Sequence, residues 1–221
     1  MGQLFKPSSN NVARATIIGA LLVLAGTAWT VRYLQRSPYT TDVGVARAQP
    51  IAFSHEHHVG GLGIDCRYCH TSVDQTDYAG MPSTKTCMSC HSQIWNNAEM
   101  LKPVRDSWSE NKPIVWNKVH NLPDFAHFNH SVHVNKGIGC STCHGQVDQM
   151  PLVWKTQSLQ MAWCLDCHRN VENFIRPREE VFNMKYIPPS GSEQQKLGKQ
   201  LVEKYHIADE RQITNCSTCH Y

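Results

Sequence analysis

The 221-residue chain predicts a mostly α-helical and otherwise irregular fold: one N-terminal transmembrane helix, then a domain cored by something other than aliphatic side chains. Three observations carry this. One apolar segment free of charge lies near the N-terminus. Aliphatic runs are sparse beyond residue 51, although the composition is 41% hydrophobic. All ten cysteines fall in five copies of Cys-x-x-Cys-His.

The motifs supply the missing core. They are Cys66-Arg-Tyr-Cys69-His70, Cys87-Met-Ser-Cys90-His91, Cys140-Ser-Thr-Cys143-His144, Cys164-Leu-Asp-Cys167-His168 and Cys216-Ser-Thr-Cys219-His220. Two thiols three positions apart can add to the two vinyl groups of one haem, and the next histidine then lies under the iron. A zinc knuckle, a redox dithiol or a disulfide framework gives no reason for histidine to follow five times over. The expected cofactors are therefore five covalently bound haem c groups with His70, His91, His144, His168 and His220 as proximal ligands, making a haem-cored multihaem cytochrome c domain. Residues 51–221 leave about 34 residues per macrocycle, so side chains must pack mainly on porphyrin faces. Without haem this part is not expected to fold.

The N-terminal segment reads as an anchor. Ala15–Val31 is uncharged and flanked by Arg14, Arg32 and Arg36, just long enough to span. A cleavable signal peptide is the rival, but the passable cleavage pattern Ala46-Arg-Ala48 lies too far from the apolar segment. The expected division is a cytoplasmic N-terminus at 1–14, an anchor at 15–32 and a linker at 33–50 carrying Pro38, Gly44 and Pro50. Flanking charges do not decide orientation. Attachment of haem c takes place outside the energy-transducing membrane, which puts the haem domain on the extracytoplasmic side of a single-pass protein.

Beyond the linker the chain repeats. Phe53-x-His55-x-x-His58-Val, Gly63-Ile-x-Cys66 and Val73-Asp-Gln75 align with Phe128-x-His130-x-x-His133-Val, Gly137-Ile-x-Cys140 and Val147-Asp-Gln149. Each copy runs on to a second motif, giving two-haem modules at 51–91 and 125–168 with an irregular wrap at 92–124 between them. The C-terminal segment 169–221 holds the fifth motif. It is broken by Ile187-Pro-Pro-Ser-Gly191, after which Ser192-Glu-Gln-Gln195 resembles a capping box and Leu197, Leu201, Val202 and Tyr205 form an apolar face at helical spacing.

Thirteen histidines less the five of the motifs leave eight for distal positions. His55 and His58, like His130 and His133, stand three apart and share a helix face, so each pair can serve two neighbouring haems. The simplest pairing joins His55 to His70, His58 to His91, His130 to His144 and His133 to His168. The fifth distal ligand lies between His120 and His206; spacing favours His206, which precedes Cys216 by the offset of His130 from Cys140. His57 and His127 fall off the pattern and read as ordinary polar residues. Met81, Met150 and Met161 read as packing rather than ligands, as do Trp95, Trp116, Trp154 and Trp163.

Charge excludes one class of partner. Ten propionates against five ferric cores bring the formal +3 to about −2 oxidised and about −7 reduced, and no basic run suits nucleic acid.

The anchor, the five motifs, the Phe-x-His-x-x-His elements, Trp116-Asn-Lys-Val-His120-Asn-Leu-Pro-Asp124 and Met161-Ala-Trp-Cys-Leu-Asp-Cys-His168-Arg together resemble the pentahaem subunit of alternative complex III. More broadly the chain is similar to class III multihaem cytochromes c. The first resemblance implies electron transfer within a complex that oxidises membrane quinol and delivers electrons to a soluble cytochrome c or a terminal oxidase. It implies an iron–sulfur subunit, polytopic quinol-binding subunits and monohaem cytochrome c as partners, and it places His120 ahead of His206 as fifth distal ligand. With every iron held by two histidines no catalytic residue is expected, and the chain is not an enzyme on its own. A nitrite- or hydroxylamine-converting cytochrome would need an open iron, which no motif marks. A free-standing, membrane-anchored quinol dehydrogenase is the nearer alternative.

Overall fold

The computed structural model describes residues 5–221; the first four residues of the expected N-terminal segment 1–14 lie outside the described residues. The described residues form two compact units, divided between Val43 and Gly44.

The first unit is dominated by a helix over Ser9–Arg36, whose 28 residues make about 42 Å at about 1.5 Å per residue. It contains the expected span 15–32 and outruns it at both ends, because no helix breaker occurs before Ser37-Pro38. Ser37 is extended, with ψ 157°, as the residue before proline must be. Among the described residues this is the one helix long and apolar enough to cross a membrane. Its two threonines are satisfied internally: the Thr16 and Thr30 hydroxyls donate to the carbonyls of Ala13 and Gly26, each at 2.9 Å. Trp29 and Tyr33 stack with centroids 5.8 Å apart near the C-terminal end, where amphipathic rings favour a membrane–water boundary.

The second unit has no β-strand among the described residues, only isolated bridges joining Ala46 to Trp154 and Ile138 to Ile175. The expected linker 33–50 is not a free tether within this unit. Gly44 donates its N–H to the Lys155 carbonyl at 2.8 Å, and Gln49 exchanges hydrogen bonds with the backbone of Asn117 at 2.8 and 3.0 Å.

Each Cys-x-x-Cys pair lies on a turn of helix, Cys66–Cys69, Thr84–His91, Cys140–His144, Met161–Arg169 and Cys216–Cys219, with His70 and His220 just past the end of theirs. A helical turn brings residues three apart to one face, which is what a pair of thioether bonds needs. The polar residue before the first cysteine starts two of these turns, the Asp65 and Asn215 side chains accepting from the N–H of Arg67 and Ser217.

The protein core is thin. Among the described residues ten apolar side chains are buried, and they fall largely into two small clusters. Val73, Val134 and Val181 pack with Ala79, Cys140 and Phe182. Ile175, Leu201 and Tyr205 pack with Ile138, Val171, Leu197, Val202 and Ile207. The second cluster uses the predicted apolar face of the helix Ser192–Lys204.

The predicted capping box does not form. Gly191, at φ 53°, takes the N-cap, so Ser192 is already helical and Gln195 donates its backbone N–H to the Gly191 carbonyl at 3.3 Å. Gln194 turns inward instead, its Nε2 donating to the carbonyls of Glu172 and Ile175 at 2.9 Å each. Gly198 meets the backbone at 171–173 so closely that a Cβ would collide with the Glu172 carbonyl. Gly198→Ala should therefore destabilise the holoprotein by about 1–3 kcal/mol, read as a lower denaturation midpoint; an unchanged midpoint would mean that the helix can simply slide away.

Candidate haem sites

The Phe-x-His-x-x-His repeat is a geometric unit. In the first copy the Phe53 ring meets His55 edge-on at 4.9 Å and stacks on His58 at 4.4 Å. In the second, Phe128 meets His130 edge-on at 4.8 Å and stacks on His133 at 4.3 Å. Phenylalanine thus fixes the orientation of both imidazoles, and the carbonyl of the residue just before the first histidine completes the hold on the second: His58 Nδ1 lies 2.8 Å from the Ser54 oxygen, and His133 Nδ1 2.8 Å from the Asn129 oxygen.

The backbones around these equal rings differ. His130–Asn135 is an α-helix, whereas Glu56–Gly61 is a π-helix. From His58 to Gly63 the first copy holds one residue more than the second does from His133 to Gly137, and a π-turn absorbs such an insertion without moving its ends. Both copies then rejoin: Ile64 donates its N–H to the His58 carbonyl, Ile138 to that of His133, and Gly63 and Gly137 both have positive φ, 68° and 84°.

Seven imidazoles are oriented by backbone carbonyls. Among the motif histidines, Nδ1 of His70, His91, His168 and His220 faces the oxygens of Gly80, Ile94, Ile213 and Phe125 at 2.7, 3.1, 2.9 and 2.8 Å. His130 Nδ1 faces the Asp77 oxygen at 2.8 Å and joins His58 and His133 in the same arrangement. A carbonyl can only accept, so Nδ1 carries a proton, and in the neutral ring the lone pair an iron ligand needs is then on Nε2.

Ring spacings test whether haem fits. Two imidazoles on opposite sides of one metal, with metal–nitrogen bonds of about 2 Å, have centroids about 6.3 Å apart. His58 and His91 stand at 6.2 Å, His130 and His144 at 6.4 Å with planes 9° apart, and His133 and His168 at 6.1 Å. The residues present fit the group. Burial acts in the same direction on the more enclosed rings, pushing His144 down to about 3 and His55 to about 4, the neighbouring His70 and His58 adding to the effect on His55. Neutral imidazole is the ligating form. All ten thiols are unpaired, and among the described residues no group of three or more Cys, His, Asp or Glu converges as a bare metal site would. Haem c supplies a one-electron ferric–ferrous couple at such a site.

The remaining histidines are distributed unequally. His120 packs edge-on against His144, 4.3 Å between centroids, too short for opposite sides of one iron; its Nε2 is buried with no hydrogen-bond partner, and burial pushes it to about 4. His206 is exposed at φ 49°, and its carbonyl accepts from Lys136. His127, which the repeat left aside, stacks on Tyr221 at 4.3 Å and donates its backbone N–H to the Cys219 carbonyl at 2.8 Å, so it sits on the fifth motif. No feature of its local sequence signals this. His57 lies edge-on to His58 at 5.3 Å and stacks on the exposed Trp95 at 5.4 Å, while Met150 is fully buried and Met81 and Met161 are exposed.

Helical turns presenting paired thiols, rings set to trap a metal between them and a protein core too thin to stand alone define a multihaem c-type cytochrome. Two comparisons narrow this. A model of the cytochrome c3 family matches residues 132–221. The multihaem cytochrome c subunit of a menaquinone reductase from Nitratidesulfovibrio vulgaris (strain Hildenborough) is 30% identical over 150 residues, covering 58% of this chain and 71% of that protein. The chain belongs to the family of multihaem cytochromes c that includes that subunit.

Proposed function

We propose that the chain is a pentahaem electron conduit, anchored by its Ser9–Arg36 helix, in a membrane complex that exchanges electrons with quinone. The observation that carries this is the set of opposed imidazoles spaced 6.1–6.4 Å apart. With His58 and His91, His130 and His144, and His133 and His168 each holding one iron between them, substrate would find no place at those irons, and the chemistry haem would supply there is outer-sphere electron transfer. His55, His58, His120, His130 and His133 are the proposed distal ligands to the five motif histidines. The buried, unpartnered Nε2 supports His120 over His206. His120→Ala is accordingly expected to reduce the low-spin haem signals by one at low temperature, whereas His206→Ala leaves them unchanged; the reverse result would exchange the two residues.

The likeness to alternative complex III, carried by the anchor, the five motifs, the Phe-x-His-x-x-His elements, Trp116–Asp124 and Met161–Arg169 together, gives the direction quinol to cytochrome c or oxidase, with an iron–sulfur subunit, polytopic subunits and monohaem cytochrome c alongside. A second reading is favoured by the menaquinone reductase subunit among the relatives: electrons would enter through the haems and leave to quinone. Purified with its native partners, the complex separates these. Haem reduction by added menaquinol that is then discharged by soluble ferric cytochrome c supports the first direction; haem oxidation by added menaquinone supports the second. Isolation as a lone chain that itself oxidises quinol would replace both with the free-standing dehydrogenase. Haem count by pyridine haemochrome tests the premise of five.

A further inference from the structure

Arg176 is a buried charge without an ion pair, and the carboxylate whose charge bears on it is Glu180. Its side chain and backbone together are only 5% exposed, yet among the described residues no carboxylate lies within ion-pair distance of it. Nη2 donates to the hydroxyls of Ser141 and Thr142 at 3.2 and 3.3 Å, and the guanidinium lies over the Tyr186 ring, 4.8 Å from its centroid. Nε and Nη1 are buried with no partner. The backbone holds the residue here by pairing Arg176 N–H with the Gly137 carbonyl at 2.9 Å. Room for the guanidinium comes from Gly139, the residue immediately before Cys140, where a Cβ would overlap the Arg176 side chain.

A cation without an ion pair is costly to bury, and two hydroxyls, a phenol ring and Glu180 beyond ion-pair distance offset it only in part. Arginine is the cation that withstands such a place, since it does not discharge by losing a proton. Ser141 and Thr142 are the two residues between Cys140 and Cys143, so the charge is clamped to the turn that carries the third haem motif. Through a low-dielectric interior a charge acts on its neighbours far more than it would at the surface.

We propose that Arg176 is a potential-setting residue, a fixed cation that favours the reduced form of the iron held by His144 and so makes this site an electron sink within the chain. Reduction there takes one electron from a neighbouring reduced site and no proton. The iron core goes from one net positive charge to none beside an unchanged guanidinium, and the lost repulsion is the bias. This rests on the pentahaem reading, because it requires a haem on Cys140 and Cys143.

The test is a redox titration of the holoprotein followed optically and by EPR, with the haem count measured on the same samples. Arg176→Met should lower one of the five midpoint potentials by about 59 mV, a tenfold change in that site's ferric–ferrous equilibrium, with haem count and low-spin ligation unchanged. Arg176→Lys, which keeps the charge, should restore most of the shift. Should Arg176→Met fail to accumulate with haem, Arg176→Gln carries the same test while keeping a donor to Ser141 and Thr142. Unmoved potentials in a fully loaded variant would reduce Arg176 to a packing residue and leave the pentahaem reading standing. A wild-type count that lacks the haem of the third motif would overturn both.

Discussion

Replacing Cys140 and Cys143 together with serine is expected to lower the haem count by one and to unfold much of the unit Gly44–Tyr221. The two thiols are the covalent hold on one macrocycle, and Cys140 also packs against Val73, Val134 and Val181. A porphyrin several times the size of an indole, burying on the order of 500 Å², contributes on the order of 12 kcal/mol at about 25 cal/mol per Å². That matches the whole net stability of an ordinary domain, about 5–15 kcal/mol. A second loss compounds it: His130 and His144 would no longer be bridged, and the His130 loop, held by Asp77 and Thr76 beyond the first motif, ties the two copies of the repeat together. The measurements are a pyridine haemochrome count and limited proteolysis of the purified variant. A count lower by one with unchanged protease resistance would mean that protein packing, not the macrocycle, holds this region together.

Much of this was written in the sequence because the signals are local. Cys-x-x-Cys-His needs only a helical turn, the apolar face of Ser192–Lys204 needs only a period, and Phe-x-His-x-x-His sets its two histidines three apart; the contact of the phenylalanine ring with both is seen only in the structure. The uncharged segment around Ala15–Val31 announced a long helix, though its ends waited on the Ser37-Pro38 step. What escaped depends on contacts distant in the chain. The extra residue after His58 is visible on alignment with the second copy, yet the π-helix that absorbs it also lays Gly60 against the Asp148 carbonyl, a contact between residues far apart in the chain. The capping box failed because Gly191 reached positive φ first and Gln194 was drawn inward by two carbonyls. Arg176 stands in a run of mixed charges, Ile175-Arg-Pro-Arg-Glu-Glu180, in which nothing local marks it as buried; its backbone pairs with Gly137, 39 residues earlier. The family resemblance favours His120, but its neighbour in space is His144, a closeness that no spacing in the sequence encodes.

Deleting a distal ring and deleting the ring that steadies it should have different signatures. His133→Ala removes the imidazole that stands 6.1 Å from His168. Its close neighbour on the helix, His130, is committed to the His144 side at 6.4 Å and held there by the Asp77 carbonyl at 2.8 Å, so it cannot substitute without breaking both arrangements. One iron is then left with an open position, and the expected result is conversion of one low-spin haem to high spin, with carbon monoxide binding to the reduced protein at about one equivalent. Phe128→Ala leaves both ligands in place but removes the surface that stacks on His133 and abuts His130. Because the Phe128 ring is partly exposed, its loss should cost less than the roughly 3–5 kcal/mol of a fully buried phenylalanine. Its effect should nevertheless be spread over two irons: both low-spin signals served by His130 and His133 broaden or shift, and no stoichiometric carbon monoxide binding appears. A Phe128→Ala variant that disturbs one signal only would break the link between these two histidines and assign the phenylalanine to a single site. A His133→Ala variant that stays wholly low-spin would mean that another ligand reaches the iron of His168, and the spacing of 6.1 Å would then mark packing alone.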